Sequence, residues 1–504
     1  MTKHDTNITF PAQSKDTSPQ NDRRSPLAYL DETPVWPDGT PAASTALTPM
    51  QWRIWWLATA GKFFEGMIVF MTGVSQALIA REFALSNVQI GLVTAATLLG
   101  ILVGATLLGS LSDYYGRRRM FIFEMVLFIL FLFILTVSQH YVTVLIALFG
   151  MGMALGCDYP TAHMVISESM PSRERGRLVL GAFSFQAIGA LVGTGIAYLV
   201  LVVHPDLHAW RYMYAIAIIP AILVLIGRFY IPESAMWLLE KGRVSEAEKA
   251  MEQLLDRRPR YPSRVRLARK QDDQKGTIGI SFRSLSELLK TKNSRRALVL
   301  SCVPWFLQDL GTYGIGIFTP LIIATAFGYA PQHARSLSEL LHTQIEAAKG
   351  AAMLDLLLIV GIVLAVILAD RVGRIRLQVF GFVGCAIGLF LAMMSSFAVA
   401  TQQIHFVIAG VMLFNLMNNL GPNAQTYLLA GEVFPTRLRG AGAGLAASVA
   451  KIGAVLTAFL FPVLLVEFGQ TALLSGLVAT SLAGALVTWR FRIETAGKPL
   501  SEIK

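Results

Sequence analysis

Long apolar stretches separated by short polar ones set the rhythm of this chain. An α-helix needs about 20 residues to cross about 30 Å of hydrocarbon. Runs of that length lie near 53–78, 87–109, 120–138, 142–167, 178–203 and 210–231, and again near 297–327, 351–369, 377–397, 404–430, 441–466 and 471–489. They lack period-two alternation, so the pattern predicts an all-α membrane protein of twelve transmembrane helices and no barrel. The polar remainder predicts a disordered tail over 1–50, a six-helix bundle over 51–231, a linker with short amphipathic helices over 232–296, a second six-helix bundle over 297–491 and a tail over 492–504. Residues 328–350 are expected to form the longest external loop. Residues 1–50 hold no apolar run, which predicts no signal peptide and leaves the first span as the membrane address.

Two polar motifs occur twice. Glu168-Ser-Met-Pro171-Ser-Arg173-Glu-Arg175-Gly176 returns 264 residues later as Glu432-Val-Phe-Pro435-Thr-Arg437-Leu-Arg439-Gly440. Asp113-Tyr-Tyr-Gly116-Arg117-Arg118 returns as Asp370-Arg-Val-Gly373-Arg374. The order is the same in each half, so the chain reads as an internal duplication. Duplicated membrane halves build transporters with a site at their shared midplane.

Composition narrows the function. Hydrophobic residues make up 54% and charged residues 15%, and the net charge of +11 gathers in alternate loops. That asymmetry predicts both termini in the cytoplasm and a place in the inner (plasma) membrane; it is no nucleic-acid signal. Cys157, Cys302 and Cys385 fall inside predicted spans, where packing is their expected use. The sequence has no P-loop, zinc spacing or nucleophile–base set, so neither an enzyme nor a bound cofactor or metal is expected. Energy would come from an ion gradient.

Charges inside spans cost about 2.5–3.5 kcal/mol each at mid-membrane on insertion scales and need an interior partner or cavity. Here they are Lys62, Glu65, Glu124, Asp158, His163, Asp309, Asp355 and Lys451. Asp309 has Trp305 and Tyr313 at i−4 and i+4, on one helix face. Lys451 suits an anionic substrate or a pairing with Asp309. Lys62 and Glu65 are spaced to pair with each other, and Glu65 is otherwise a second proton candidate. Pro160 interrupts the helix ladder after Asp158 and Tyr159; His163 is expected to be structural, with a pairing to Asp158 as the alternative. The repeat offset matches Tyr159 to Asn423 and Gln186 to Ala450, beside Lys451. The duplicated loops supply candidate gates in Asp113, Arg117, Glu168, Arg175, Asp370, Arg374, Glu432 and Arg439, with arginines gripping carboxylates across the interface between halves.

Gly109-Ser-Leu-Ser-Asp113-Tyr-Tyr-Gly116-Arg117-Arg118 resembles the signature loop of the major facilitator superfamily, and Pro232-Glu233-Ser234 with Gly242-Arg243 resembles its sugar-porter and metabolite branches. Gly156-Cys-Asp158-Tyr159-Pro160, Trp305 to Gly314 and Gly421-Pro422-Asn423 through Lys451 are similar to the phosphate:proton symporters. That resemblance implies the major facilitator fold and substrate contacts at Tyr159, Gln186, Trp305, Asp309, Tyr313, Asn423 and Lys451, with Asp158 handling protons. Two acids are usual on helix 1 of that branch; this chain has Glu65 alone, near Lys62. The glutamine pairs of sugar-porter helix 7 are absent around Gln308. The expectation is a monomeric, proton-coupled secondary carrier in the lipid bilayer, with inorganic phosphate or another small anion as first substrate. A sugar or organic acid is the alternative, and a non-transporting receptor is the rival class.

Overall fold

The computed structural model describes residues 24–32, 47–108, 111–256, 265–268, 288–326, 336–434 and 438–495. A short helix, α1 (Pro26–Asp31), corrects the expected disorder over residues 24–32; the other predicted tail positions up to 46 lie outside the described residues. Ser25 caps α1 by accepting from the Ala28 N–H, and Tyr29 and Leu30 bury their side chains. Asp31 accepts hydrogen bonds from the Ser172 N–H at 2.6 Å and hydroxyl at 2.8 Å, tying the segment to the bundle.

The first bundle comprises α2 (Pro49–Glu82), α3 (Asn87–Val103, ending in a π turn over Gly104–Leu108), the short α4 (Ser112–Tyr115), α5 (Arg117–Val137), α6 (Tyr141–Ser169), α7 (Ser172–Val203) and α8 (Ala209–Arg228). Helix starts follow local chemistry. Thr48 with Gln51, and Ser86 with Gln89, form reciprocal capping boxes that satisfy free N–H groups of α2 and α3. The linker folds into α9 (Ala235–Glu240) and α10 (Val244–Leu254); the latter buries Ala247, Ala250, Met251 and Leu254, a stripe at helical spacing.

The second bundle comprises α11 (Lys292–Ala326), α12 (Leu337–Val372), α13 (Arg374–Met394), α14 (Ala400–Leu420), α15 (Pro422–Glu432) and α16 (Arg439–Phe491). The span predicted at 404–430 is broken: Gly421 (φ −111°, ψ −94°) ends α14 and Pro422 starts α15. Among the described residues eleven helices are long and apolar enough to cross a membrane, and α16 is two spans joined at Gly469, where φ is +78°. Dividing α16 there gives the expected twelve. The predicted loop over 328–350 is corrected, because α12 already begins at Leu337; residues 327–335 lie outside the described residues.

Within the first half α2 packs on α7 and α3 on α6; within the second α11 packs on α16 and α13 on α14. The halves meet through α3 on α16, α7 on α12 and α2 on α11. The end of the bundle carrying the repeated motifs, α9 and α10 is called here the motif end. At the opposite end the contact is backbone-close. A Cβ on Gly91 would lie 2.3 Å from the Phe459 carbonyl oxygen, and the Thr94 hydroxyl donates to the Ala458 carbonyl at 2.8 Å.

Candidate functional site

Four charges from both halves converge between α2, α7, α11 and α16. Lys62 Nζ lies 2.6 Å from Glu65 Oε2, one turn along α2. From the other half, Lys451 Nζ reaches Glu65 Oε1 at 3.4 Å and Asp309 Oδ2 at 3.6 Å. Tyr313 joins them: its hydroxyl donates to Glu65 Oε1 at 3.1 Å and accepts from Lys451 Nζ at 2.5 Å. Lys451 also sits 4.5 Å from the Tyr313 ring centroid, a cation–π contact. Gln186 completes the group, donating to the Tyr313 hydroxyl at 3.2 Å and to Glu65 at 3.5 Å. A glycine brings α7 this near: a Cβ on Gly66 would stand 2.0 Å from the Gln186 carbonyl oxygen. Lys62, Glu65, Asp309 and Lys451 are all buried. Two ammonium groups against two carboxylates leave no net formal charge, which makes their burial tolerable.

Beside the charges lies a wall of neutral amides that the sequence did not announce. Gln308 Nε2 donates to Thr312 Oγ1 at 2.5 Å and to Asn423 Oδ1 at 3.2 Å. Asn423 Nδ2 donates to Asn419 Oδ1 at 2.6 Å, and Asn418 Nδ2 to Thr312 Oγ1 at 2.9 Å. The break at Gly421 lets α14 and α15 present this wall. Gln308 Oε1 is buried with no hydrogen-bond partner among the described residues, which leaves an acceptor for a ligand. Asparagines at 415, 418 and 419, following the apolar run from Phe406 to Phe414, were the available signal.

Toward the motif end the site is roofed by aromatics. Tyr427 stacks on Phe183 of the other half at 4.5 Å and meets Trp305 edge-on at 6.1 Å. Trp305 is buried and reaches no charged group of the cluster by a hydrogen bond. His163, exposed and six residues before the end of α6, has Nδ1 3.4 Å from the Tyr427 hydroxyl. The alternative pairing with Asp158 is not formed: five residues along an α-helix turn the two side chains to different faces.

Asp158 binds elsewhere. Its Oδ1 lies 2.7 Å from Arg228 Nη2, and Glu124 Oε1 lies 2.7 Å from Arg228 Nη1. The carboxylate occupies the space where a Gly61 side chain would be, one turn from Glu65 along α2. Arg228 is fully buried with its guanidinium 3.5 Å from the Phe121 ring centroid. It lies inside the predicted span 210–231 but is not among the in-span charges singled out from the sequence. Asp355 accepts from Thr194 at 3.0 Å across the α7–α12 contact. The side chains of Tyr159 and Arg439, and all of Arg437, lie outside the described structure.

The expectation that motif arginines grip acids across the halves is corrected, because the described pairs close within each half. Arg117 binds Asp113 at 2.7 Å and Glu168 at 3.1 Å; Arg374 binds Asp370 at 3.1 Å and Glu432 at 2.6 Å. The geometry is local. Glu168 and Glu432 end the helices that pack on the helices begun by Arg117 and Arg374. Arg175 meets no carboxylate among the described residues and donates to the Met170 carbonyl at 3.4 Å. A third repeated element also emerges. The Ser234 hydroxyl donates to Glu168, and the Thr495 hydroxyl donates to Glu432 at 2.6 Å. Beside these hydroxyls, Glu233 caps α5 at the Arg118 N–H and Glu494 caps α13 at the Arg374 N–H, each at 3.0 Å.

Two six-span halves, repeated motifs at one end and a charged cluster shared between the halves define a transporter of the major facilitator superfamily. The comparisons with known proteins agree. Residues 37–504 match the family described as "Sugar (and other) transporter", and the chain belongs to that family. It is 26% identical over 482 residues to the inner membrane metabolite transport protein YgcS of Escherichia coli, covering 94% of this chain and 96% of that one. It is 25% identical over 428 residues to the glucose transporter GlcP of Staphylococcus epidermidis, covering 84% and 90%. The fold matches the xylose transporter XylE of Escherichia coli in a partially occluded inward open conformation, with a TM-score of 0.70 at 19% identity over 90% of this chain and all of that one. The protein is therefore a multi-pass membrane transporter of sugars or other metabolites, and not an enzyme. Inorganic phosphate finds no support in these relatives; the sugar alternative fits them better.

Proposed function

We propose that the protein is a proton-coupled symporter of a small, neutral, hydroxyl-rich metabolite such as a sugar, working by alternating access. The observation that carries this reading is the balanced cluster beside an amide wall. Lys62 and Lys451 are each matched by a carboxylate, so an anion would first have to break an ion pair. Gln186, Gln308, Asn418, Asn419 and Asn423 offer both donors and acceptors, the chemistry that neutral hydroxyls need. GlcP and XylE are named for neutral sugars, which supports the same choice.

Glu65 ties the halves together through Tyr313 and Lys451. Asp309 meets a cation only at 3.6 Å and is the carboxylate assigned the transported proton. A neutral Asp309 leaves Lys451 wholly to Glu65, which shifts the balance of contacts between halves when proton and substrate bind together. One proton crossing 100 mV supplies about 2.3 kcal/mol. The close contacts at Gly91 and Thr94 shut one end, while exposed His163 marks water entering from the motif end. The arginine-rich loops support a cytoplasmic motif end, with both termini on that side.

Proteoliposomes under an imposed pH gradient test this. Labelled glucose, xylose, a monocarboxylate and phosphate are compared side by side. A sugar is expected to accumulate. Phosphate accumulating in its place overturns the substrate class. Asp309→Asn is expected to keep substrate exchange and lose uphill accumulation; uphill uptake at the wild-type level removes the proton assignment.

A further inference from the structure

Where α11 begins and α16 ends, the second half carries a groove of about 720 Å³ far from the charged cluster. Five cations line it: Lys292, Arg295 and Arg296 from α11, and Arg490 and Arg492 from the end of α16. The α11 residues recur at i, i+3 and i+4, so they share one helix face. No described carboxylate lies within ion-pair distance of any of the five. Arg296 instead donates to the backbone carbonyls of Phe491 at 3.3 Å and Arg492 at 2.5 Å, which fixes the two walls to each other. The guanidinium of Arg492 lies 4.4 Å from the Trp489 ring centroid. The first turn of α11 adds the positive end of its dipole on the same side.

We infer that this groove binds the headgroup of an anionic phospholipid. Orientation in the membrane needs positive charge only in the right loops; here it is gathered into a concavity with no described carboxylate in ion-pair range. Phosphodiester recognition calls for such convergent guanidinium and ammonium donors. The rim argues for a lipid over free phosphate. Trp489 is 58% exposed at the end of a span, where an indole sits between headgroups and acyl chains, and the lining continues into Val299 and Phe491. A lipid seated there would brace the start of α11, the helix that carries Asp309 and Tyr313. The assignment is independent of the substrate reading.

The test is lipid titration of the delipidated full-length protein in detergent, read by native mass spectrometry. The wild type is expected to hold one phosphatidylglycerol in preference to phosphatidylethanolamine. Each basic residue near a lipid surface is worth roughly fivefold in affinity, so Arg295→Gln, Arg490→Gln and Arg492→Gln together are expected to weaken binding about a hundredfold. The control removes Lys241, Arg243 and Lys249, exposed cations around α9 and α10, and is expected to bind as the wild type does. Should the triple variant fail to fold, Arg490→Gln alone reads the fivefold step. Equal affinity for the two lipids, or unchanged phosphatidylglycerol binding in the variants, overturns the inference. Displacement of the lipid by millimolar inorganic phosphate also overturns it, in favour of a site for a soluble anion.

Discussion

The two copies of the motif-end clasp share their residues and differ in their water. In the first half Arg117 is 2% exposed, with Asp113 at 28% and Glu168 at 14%. In the second Arg374 is 11% exposed, with Asp370 at 80% and Glu432 at 19%. The cover over the first copy is α9, whose Trp237 Nε1 donates to the Asp113 carbonyl at 2.9 Å. Among the described residues no helix follows Glu494 and Thr495, the counterparts of Glu233 and Ser234. Coulomb energy between like pairs rises as water is removed, and so does the cost of leaving one partner alone. A duplicated sequence has therefore produced one joint sheltered from water and one more open to it.

The largest effect follows from removing each arginine. Arg117→Ala strands two acids under α9, and about 3–5 kcal/mol of stability is expected to go with it. Arg374→Ala leaves Asp370 in water and Glu432 with the Thr495 hydroxyl, and is expected to cost less, about 1–3 kcal/mol. Thermal unfolding of both variants in detergent checks the ranking. Equal losses would mean that α9 contributes no desolvation, and the contrast between the two joints would be gone.

Much of this arrangement is legible in the sequence, and the losses have physical reasons. Apolar length gave the spans because hydrocarbon thickness admits few alternatives. Two strict repeats revealed the halves. The third, Glu233-Ser234 against Glu494-Thr495, is two residues long with one identity, too short to stand out as a repeat. Asp309, Tyr313, Lys451, Glu65 and Gln186 do come together. Charge in a span is costly enough to flag itself, whereas interhelical amide bonds average only about 0.6 kcal/mol. That explains why Asn418, Asn419 and Gln308 passed as ordinary. Matching offsets told which residues correspond between halves and could not tell which acid an arginine meets, hence the misplaced gate.

A second, smaller contrast lies in the glycines that start α5 and α13. Gly116 has φ +101° and ψ 155°, and Gly373 φ +99° and ψ 144°, backbone that side-chain-bearing residues rarely adopt. Alanine is expected to cost about 1–3 kcal/mol at either. Space then separates them: a Cβ at Gly116 would stand 2.5 Å from Glu233 Oε2, against 2.9 Å from Glu494 Oε2 at Gly373. Gly116→Ala is thus the more damaging, and melting temperatures that rank the pair the other way would show that the second clasp is the tighter.

The helix caps sharpen the comparison by reversing its sign. Glu233 accepts from one amide of α5, Arg118 N–H at 3.0 Å. Glu494 accepts from two amides of α13, Arg374 N–H at 3.0 Å and Ile375 N–H at 3.2 Å. A carboxylate at a helix N-terminus is worth about 0.3–1 kcal/mol, and the C-half cap satisfies one more of the free N–H groups. Glu494→Gln is therefore expected to raise hydrogen exchange at 374–376 by more than Glu233→Gln raises it at 117–119. So small a change would be lost in a melting curve but is local in exchange. If the first half responded more strongly to both the arginine and the cap substitutions, burial alone would account for the difference. The opposite ordering means that the second joint, less sheltered from water, is held chiefly by its backbone.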